Sequence, residues 1–490
     1  MSEEKKVQVR LVRHKWADEI EIEKKNRRRK IVFIIAIVVA FGMGSLFGKL
    51  FARPVVYQSG GNFPILESVY SIMGNRWYFS KDNANIDQDL MDAAIKGMVD
   101  AQGDPHTQYM SQEEMQAFSG SLETSFVGIG IRYNRLDGDL LVQGVILDSP
   151  AEKAGVMPGD LILKADGIEL KPLTDDEVQN MVRGKEGTKV VITLKRGQDI
   201  MDVEITRHEV HTSVDSKTIE ESIGYIQITS FGDKTATELK THLDKFVNEG
   251  IGDLIIDLRD NGGGYLTTLQ TMCSYFLDNG SIVLQQEHVD GSIELTKTMG
   301  RPYDFNVVLL VNENSASCSE VFAAALREHK QVKIVGTTTY GKGTVQVIQA
   351  FANGSALKYT TAAWLTPYGA SINGVGIKPD VEVFLDDALY LKTFNFDEDE
   401  SYAYDVVSNE VVNMQKILKF LGYPMKRTDG YFDKISENSL MQFQKEYGIS
   451  QTGILDDTTA NELNRAVLVK WNTEKMAVDS QLQAAIALYK

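Results

Sequence analysis

The sequence predicts a multidomain protein of mixed α/β and α+β class with a single N-terminal transmembrane helix. Three observations support this prediction. The chain has 490 residues, too many for one hydrophobic core, because a domain usually takes roughly 100–200 residues. Short β-branched runs punctuated by glycine fill residues 113–210, whereas strands and helices alternate along residues 211–390. An uncharged apolar run at 31–48 precedes both regions.

Composition and charge limit the functions open to the chain. Its 43% hydrophobic and 24% charged residues are typical of globular protein. The net charge is −17, and residues 1–30 hold eleven Lys and Arg against six Asp and Glu, so the rest carries about −22. This acidity argues against a nucleic-acid partner. Two cysteines are too few for a disulfide framework, and no Cys/His spacing predicts a metal site, so no cofactor is expected.

A membrane anchor is predicted near the N-terminus. The basic cluster Lys24–Lys30 is followed by Ile31–Gly48, eighteen residues without a charge, which can span a bilayer at the short end of the usual range. Positive flanking charge favours the cytoplasmic side, so we expect a single-pass cell-membrane protein whose chain after Lys49 lies outside the cytoplasm. A removable signal peptide is the alternative, but no small-x-small cleavage site follows the apolar run cleanly.

Changes in texture divide the chain into segments. Residues 63–102 have apolar side chains at helical spacing, as at Ile65, Val69 and Ile72. The predicted segments are a basic cytoplasmic segment (1–30), a transmembrane anchor (31–49), a linker (50–62), a helical part of the core (63–112), a β-rich domain (113–210), an α/β core (211–390), an acidic linker (391–404), a small helical domain (405–468) and a C-terminal helix (469–490).

The β-rich segment resembles a PDZ domain. Ser149–Leu163 and Arg183–Thr188 match inner segments of that family. PDZ domains add a peptide as an extra strand and seat its terminal carboxylate on backbone N–H groups. Binding of protein C-termini is therefore expected, although the glycines taken alone could merely form a tight strand entry. The loop that the resemblance assigns to the carboxylate comprises Phe126, Val127, Gly128, Ile129 and Gly130.

Residues 211–390 alternate strands with helices. Strands are predicted at 224–228, 254–258, 307–311 and 332–336, with helices near 236–248, 265–277 and 319–330. Right-handed crossovers would bring the loops 259–264 and 312–317 together at the carboxyl ends of neighbouring strands, where open sheets bind their ligands. An active site is expected between these two loops.

Ser317 precedes the helix predicted near 319–330. With Glu320 it forms the S-x-x-E pattern of a capping box, so it can serve purely as an N-cap that contributes ~1 kcal/mol. A helix N-terminus is also electropositive and stabilises a developing oxyanion. One serine can therefore be both a cap and a nucleophile.

A nucleophilic serine needs a base, and no histidine is well placed. His329 on the same helix lies about 18 Å from Ser317 at ~1.5 Å per residue, and no G-x-S-x-G pattern surrounds Ser317. Lys342 is the remaining candidate, because it stands between Gly341 and Gly343 in an uncharged stretch where desolvation can lower its pKa. Taken alone, such a lysine could equally be a surface strand residue.

Four motifs resemble those of the carboxy-terminal processing proteases, with the PDZ-like domain upstream. They are DLRDNGGG at 257–264, NSASCSEVFAAAL at 314–326, GKGTVQ at 341–346 and GVGIKPDV at 374–381. The resemblance covers about residues 60–390 and implies a ClpP/crotonase-like protease core into which the PDZ domain is inserted.

The resemblance assigns roles by position. It implies that Ser317 is the nucleophile, that Lys342 is the general base and that Gln346 orients this lysine. The oxyanion hole would consist of the backbone N–H groups of Cys318 and Gly263. Because residues four apart on a strand lie ~13 Å apart, contact between Lys342 and Gln346 predicts a helical turn or bend there.

Two positions depart from the commonest family pattern. Cys318 replaces the usual alanine, and Gly262 stands where proline or serine is frequent. Neither change removes a backbone donor, and Cys318 is expected to pack as a small apolar side chain. The activity implied is that of a membrane-anchored extracytoplasmic serine endopeptidase, which captures apolar protein C-termini on its PDZ domain and forms an acyl-enzyme.

The segment 405–468 resembles the three-helix peptidoglycan-binding domain, through the order helix, DG turn, helix, TG turn. Alternatively, it is only a spacer or dimer element. Residues 479–488 predict an amphipathic helix that packs back on the core. The resemblance also implies a Gram-positive bacterial source, peptidoglycan as a partner, and a homodimer formed through residues 63–102.

Two other functions are weighed against proteolysis. Gly336–Lys342 matches a P-loop except at its last position, where Gly343 replaces the Ser or Thr that binds magnesium, and Val345 begins a strand rather than a helix. An ATPase is therefore disfavoured. A catalytically inactive scaffold is disfavoured because Ser317, Lys342 and Gln346 are all present.

Overall fold

The computed structural model describes residues 63–121, 124–136, 138–391, 394, 396 and 400–490. The predicted cytoplasmic segment, anchor and linker at 1–62 lie outside these residues, as does most of the acidic run at 397–400. Within the described ranges, no helix has both the length and the apolar character needed to cross a bilayer. The described residues divide after Ala94 into two units, the second of which is Ile95–Lys490.

The described part of the first unit is helical. Helix α1 (Pro64–Asn75) has proline in its first turn, where the missing N–H costs nothing, and a short 3-10 helix (Tyr78–Asp82) follows. Helix α2 (Ile86–Asp100) begins in this unit and ends in the second. The helices predicted within residues 63–102 are therefore present.

Strand β1 (Gln108–Met110) and helix α3 (Gln112–Ser121) lead into the PDZ-like domain. Its elements are β2 (Ser125–Gly128), β3 (Ile131–Leu136), β4 (Asp139–Val145), α4 (Pro150–Lys153), β5 (Leu161–Ala165), β6 (Ile168–Glu169), α5 (Asp175–Val182), β7 (Lys189–Arg196), β8 (Asp199–Thr206) and β9 (His208–His211). The sheet has the order β3-β4-β5-β7-β8, with β6 beside β5, and β2 pairs separately with β9. Its core includes the fully buried Leu140, Ile162 and Leu194.

The α/β core follows. Its elements are β10 (Val214–Ile219), β11 (Ile223–Ile228), α6 (Thr235–Asn248), β12 (Asp253–Asp257), α7 (Leu266–Cys273), β13 (Ile282–His288), β14 (Ile293–Lys297), β15 (Asn306–Val311), α8 (Cys318–Lys330), β16 (Lys333–Gly336), β17 (Thr344–Ala350), β18 (Ala356–Leu365) and β19 (Val381–Glu382). One sheet has the order β10-β11-β12-β15-β16-β19 and is parallel except for β10. A second sheet has the order β1-β18-β13-β14, with β17 beside β18.

Both faces of the six-stranded sheet are buried, as the continuous apolar runs of its parallel strands require. Leu239 of α6 and Phe322 of α8 pack on one face. The other face carries Ile255 and Leu310, which contact the C-terminal end of the chain. Helix α7 ends at Cys273, before residue 277 where the predicted helix ends. Hydrogen-bonded turns, with backbone bonds among residues 270–277, continue the chain.

The C-terminal region contains helices α9 (Asn409–Leu421), α10 (Lys434–Glu446), α11 (Asp457–Thr473), α12 (Lys475–Val478) and α13 (Ser480–Ala487). Side chains of Ser408, Asp433 and Asp456 cap the first three, each accepting a backbone N–H three residues on. Helix α11 continues past the domain end predicted at residue 468. Helix α13 places Leu482 and Ile486 against the six-stranded sheet.

Candidate active site

The loops after β12 and β15 meet, as their positions at the carboxyl ends of adjacent strands predict. The buried Asn261 joins them, because its carbonyl oxygen accepts the Ala316 N–H at 3.0 Å and the Ser319 hydroxyl at 2.8 Å. Ser317 follows at the N-cap of α8 with φ 56° and ψ −116°. Such a conformation is strained for a residue other than glycine, and strain of this kind concentrates at functional sites.

Glu320 brings Ser317 and Lys342 together. One of its carboxylate oxygens, Oε2, accepts the backbone N–H of Ser317 and the backbone N–H of Lys342, both at 2.9 Å. The other oxygen, Oε1, accepts the Gly341 N–H at 2.7 Å and the Thr339 hydroxyl at 2.6 Å. Glu320 is completely buried. The capping residue predicted for α8 therefore also fixes the loop that carries Lys342.

The backbone of Lys342 is held on both sides. Its carbonyl oxygen accepts the indole N–H of Trp364 at 2.7 Å. The flanking glycines allow close approach: a Cβ on Gly341 would lie 2.9 Å from Gly376 N, and one on Gly343 would lie 2.5 Å from the Asn373 Cβ. Gly341 therefore packs against the 374–381 motif, and Gly343 packs against Asn373 just before it.

The surroundings of the Lys342 amine favour its neutral form. Burial lowers the pKa of Lys342 below its ordinary value, and the positive charge of Lys358 lowers it further, whereas Cys318, Asp104 and Glu320 oppose the shift. Burial lowers the pKa of His106, and the charged form of Lys342 lowers it further. A lowered pKa widens the pH range over which the amine is neutral and can accept a proton.

Gln346 lies beside Lys342 in the cavity wall but is held by other partners. Its amide nitrogen donates to Thr344 Oγ1 at 2.8 Å and to Thr360 Oγ1 at 3.2 Å. Among the described residues no hydrogen bond joins Gln346 to Lys342. A β-bulge between Val345 and Gln346 provides the local bend, and no helical turn forms, because β17 pairs with β18 from residue 344 onward.

Gly263 packs directly against the predicted nucleophile. Its φ is 105°, and a Cβ there would lie 2.8 Å from the Ser317 Cβ and 3.1 Å from Cys318 N. Its N–H, predicted to face the oxyanion, donates to Asn261 Oδ1 at 2.9 Å. Cys318 begins α8, and N–H groups in a first helical turn have no intrahelical acceptor.

Cys318 behaves as a buried apolar residue. Its thiol donates to the Gly264 carbonyl oxygen at 3.3 Å, and burial raises its pKa to about 11. The thiolate, which is the reactive form, is therefore disfavoured near neutrality.

Ser317 and Lys342 open into one cavity of about 460 Å³. Its wall is mostly apolar, and none of the described residues that line it is acidic. Lys358 on β18 and Phe118 on α3 also line it, with the Lys358 Nζ lying 5.2 Å from the Phe118 ring centroid. Cavities with mostly apolar walls favour apolar groups.

The PDZ-like domain contains a second groove, of about 300 Å³, between β3 and α5. Of the predicted loop, Phe126, Ile129 and Gly130 line it, whereas Val127 and Gly128 do not. Gly130 has φ 87°, and a Cβ there would lie 2.3 Å from the Ser149 Cβ. The lining also contains two cations, Arg132 and Arg183, and one carboxylate, Asp175. The Arg183 Cζ lies 4.5 Å from the Phe126 ring centroid.

Several of these residues were not predicted from the sequence. Glu320 was predicted only as a cap, and no role was predicted for Asn261, Lys358 or the two groove arginines. Lys358 and Thr360 lie two residues apart on β18. Since side chains two apart on a strand share a face, the sequence could have indicated that both face the same side. Among the described residues, no group of three or more His, Cys, Asp or Glu side chains could hold a metal ion.

Known protein families and relatives match this chain along most of its length. The model of peptidase family S41 matches residues 222–383, a PDZ domain model matches 141–196, and a peptidoglycan binding domain model matches 407–463. "Carboxy-terminal processing protease CtpA" of Bacillus subtilis (strain 168) is 36% identical over 474 residues, which are 95% of this chain and 99% of that protein. "Probable CtpA-like serine protease" of Staphylococcus haemolyticus (strain JCSC1435) is 36% identical over 420 residues, covering 84% of this chain and 83% of that protein.

Proposed function

The chain belongs to peptidase family S41, the carboxy-terminal processing serine proteases, and we propose that it cleaves proteins by a Ser317–Lys342 mechanism. The observation that carries this proposal is the shared carboxylate oxygen of Glu320, which bonds the backbone N–H groups of both residues at 2.9 Å. The lowered pKa of Lys342 supports its role as the base.

The proposed reaction begins with proton transfer. Neutral Lys342 takes the hydroxyl proton of Ser317, and the serine oxygen attacks the scissile carbonyl carbon. The Lys342 ammonium then gives its proton to the leaving amine, which leaves an ester on Ser317. Water attacks this acyl-enzyme while Lys342 takes the water proton, and Lys342 then gives that proton to the Ser317 oxygen as the second product leaves with a carboxyl end.

Two backbone donors are proposed for the oxyanion. The Cys318 N–H lies at the positive end of α8, where a developing negative charge is stabilised. Gly263 is the second donor. Since its N–H bonds Asn261 Oδ1 in the resting structure, it must share its proton with the oxyanion or exchange acceptors. Gln346 is proposed to orient Lys342 once substrate is bound.

The PDZ-like groove is proposed to select substrates that have a free, apolar C-terminus, and its occupancy to gate access to Ser317. Arg183 in its wall complements a carboxylate. Arg132 already pairs with Asp215 at 3.5 Å, and Asp175 adds one negative charge to the lining. The test uses one unfolded substrate prepared with a free C-terminus and with a C-terminal amide. Slower cleavage of the amide supports the proposal, whereas equal cleavage of both forms contradicts it.

The cellular setting is also a proposal. The uncharged run Ile31–Gly48 behind a basic cluster supports a single-pass anchor in the cell membrane, with the catalytic part on the extracytoplasmic side of a Gram-positive cell. The match of residues 407–463 supports peptidoglycan as a partner. Exposed apolar side chains on α1, including Ile65 and Val69, support a homodimer.

The proposed dyad is tested with the full-length chain in detergent and an unfolded protein substrate. Wild type should cleave it, and Ser317→Ala and Lys342→Ala should not. Lys378→Ala, a change at an exposed lysine of the same core, should cleave like wild type. Equal cleavage by all four proteins would remove the dyad, and no cleavage by wild type would favour the scaffold alternative.

A further inference from the structure

Arg259 is a buried charge beside the active site that the proposed reaction does not use. It opens the loop 259–264, and only 6% of its surface is exposed. Asp257 binds it from the end of β12, with Nε to Oδ1 at 2.9 Å and Nη2 to Oδ2 at 2.6 Å. A buried guanidinium needs partners for its other N–H groups, because leaving them unpaired is costly.

Those partners come from the C-terminal tail, residues 475–490. Asp479, which is completely buried, accepts Arg259 Nη1 at 3.0 Å and Nη2 at 2.8 Å. Gln481, also completely buried, accepts Nη1 at 3.0 Å. Asp479 lies 220 residues from Arg259 along the chain. The C-terminal tail therefore provides the remaining hydrogen-bond acceptors for an arginine in a catalytic loop.

The tail is itself firmly attached to the core. Asp479 caps α13 by accepting the Leu482 N–H at 2.9 Å, and the Gln481 amide donates to the Val383 carbonyl oxygen at 2.8 Å. Farther along, the Tyr489 hydroxyl donates to the Leu254 carbonyl oxygen at 2.8 Å. These bonds fix the two side chains that bind Arg259, so their positions are set by the tail.

A displacement of Arg259 would also move the catalytic residues, because only a few residues connect them. Asp260 follows it with φ 60°, an unusual conformation that leaves little freedom. Asn261 comes next, and it bonds the Gly263 N–H through Oδ1 and the Ala316 N–H through its carbonyl oxygen. Ala316 directly precedes Ser317. Arg259 is therefore two residues from the group that sets both the glycine loop and the nucleophile turn.

We propose that the C-terminal tail is a positioning element of the active site: Asp479 and Gln481 bind Arg259 and thereby hold the loop 259–264 against Ser317. This inference rests on the serine-protease mechanism proposed above. The helical domain at 405–468 separates the core from the tail along the chain. After this domain the tail returns to the core and contacts a catalytic loop. The tail then contributes to turnover and not to folding alone.

The test is Asp479→Asn in the full-length chain in detergent. Asparagine caps helices as well as aspartate does, so α13 keeps its cap while Arg259 loses a charged partner. We expect kcat per active site, counted by titration with a fluorophosphonate, to fall at least about tenfold with KM within about twofold. Hydrogen exchange of the backbone amides at 260–264 should become faster.

Asp433→Asn is the matched control, because it makes the same change at the N-cap of α10, which does not contact Arg259. It should leave kcat per active site unchanged. If Asp479→Asn does not fold, Gln481→Met carries the same test. A variant that lowers Tm but keeps wild-type kcat per titrated site and wild-type exchange would show a structural tail only and overturn the inference. Equal cleavage by Ser317→Ala and wild type would instead overturn the proposed function.

Discussion

Glu320→Gln tests the central feature of the site, the carboxylate shared by four donors. Two donors reach each oxygen: the N–H groups of Ser317 and Lys342 reach Oε2, and the Thr339 hydroxyl and Gly341 N–H reach Oε1. Glutamine keeps one oxygen and places an NH₂ group at the other. Two buried donors therefore lose their acceptor whichever way the amide is turned.

The expected cost follows from that count. Each buried donor left without an acceptor costs about 1–3 kcal/mol, so Glu320→Gln should lower the free energy of unfolding by about 2–6 kcal/mol. If about 2–3 kcal/mol of this is lost from the alignment of Ser317 with Lys342, kcat/KM falls by about 30–150-fold. Thermal unfolding and cleavage of an unfolded substrate measure the two quantities.

Glu313→Gln is the control for Glu320→Gln. Glu313 lies in the loop before Ser317, is exposed, and bonds the Thr337 hydroxyl. Its substitution should change the free energy of unfolding by no more than about 0.5 kcal/mol, as is usual for exposed positions. Wild-type kcat/KM in Glu320→Gln would show that the carboxylate does not position the dyad.

Further predictions concern the base and the glycine loop. Because Lys342 must be neutral to act, kcat/KM should rise as pH rises through its pKa. Lys358→Met removes a like charge and should raise the pKa of Lys342, so the acid limb of the pH–rate profile should move to higher pH. Lys358→Arg keeps the charge and should leave this limb in place. Measurement of kcat/KM against pH tests both expectations. Gly263→Ala should abolish cleavage, because its Cβ would lie 2.8 Å from the Ser317 Cβ, whereas Gly262→Ala meets no atom within 4 Å and should stay active.

Local pattern predicted the elements of the core well. The apolar runs near 254–258 and 307–311 and the helix near 319–330 appear as β12, β15 and α8 within one or two residues. Right-handed crossover then sufficed to bring the loops 259–264 and 312–317 together. Strand period and chain handedness act locally, which explains this success.

Contacts that depend on side-chain direction in the folded core were not predicted. Glu320 satisfies a capping pattern within four residues, so the sequence offers no sign that its second oxygen binds Thr339 and Gly341. The hydrogen bonds of Gln346 to two threonines depend on a β-bulge, and its predicted contact with Lys342 is not formed in this structure. The coordination of Arg259 by Asp479 joins residues 220 positions apart, which no local pattern can reveal.

The most direct measurement of the central claim is covalent labelling of Ser317. The full-length chain is treated with a fluorophosphonate, and peptide mass spectrometry locates and counts the label over time. We expect a single labelled residue, Ser317, and greatly slowed labelling in Lys342→Met, with Lys378→Met labelling like wild type. Labelling of another residue, or equal labelling rates with and without the Lys342 amine, would contradict it.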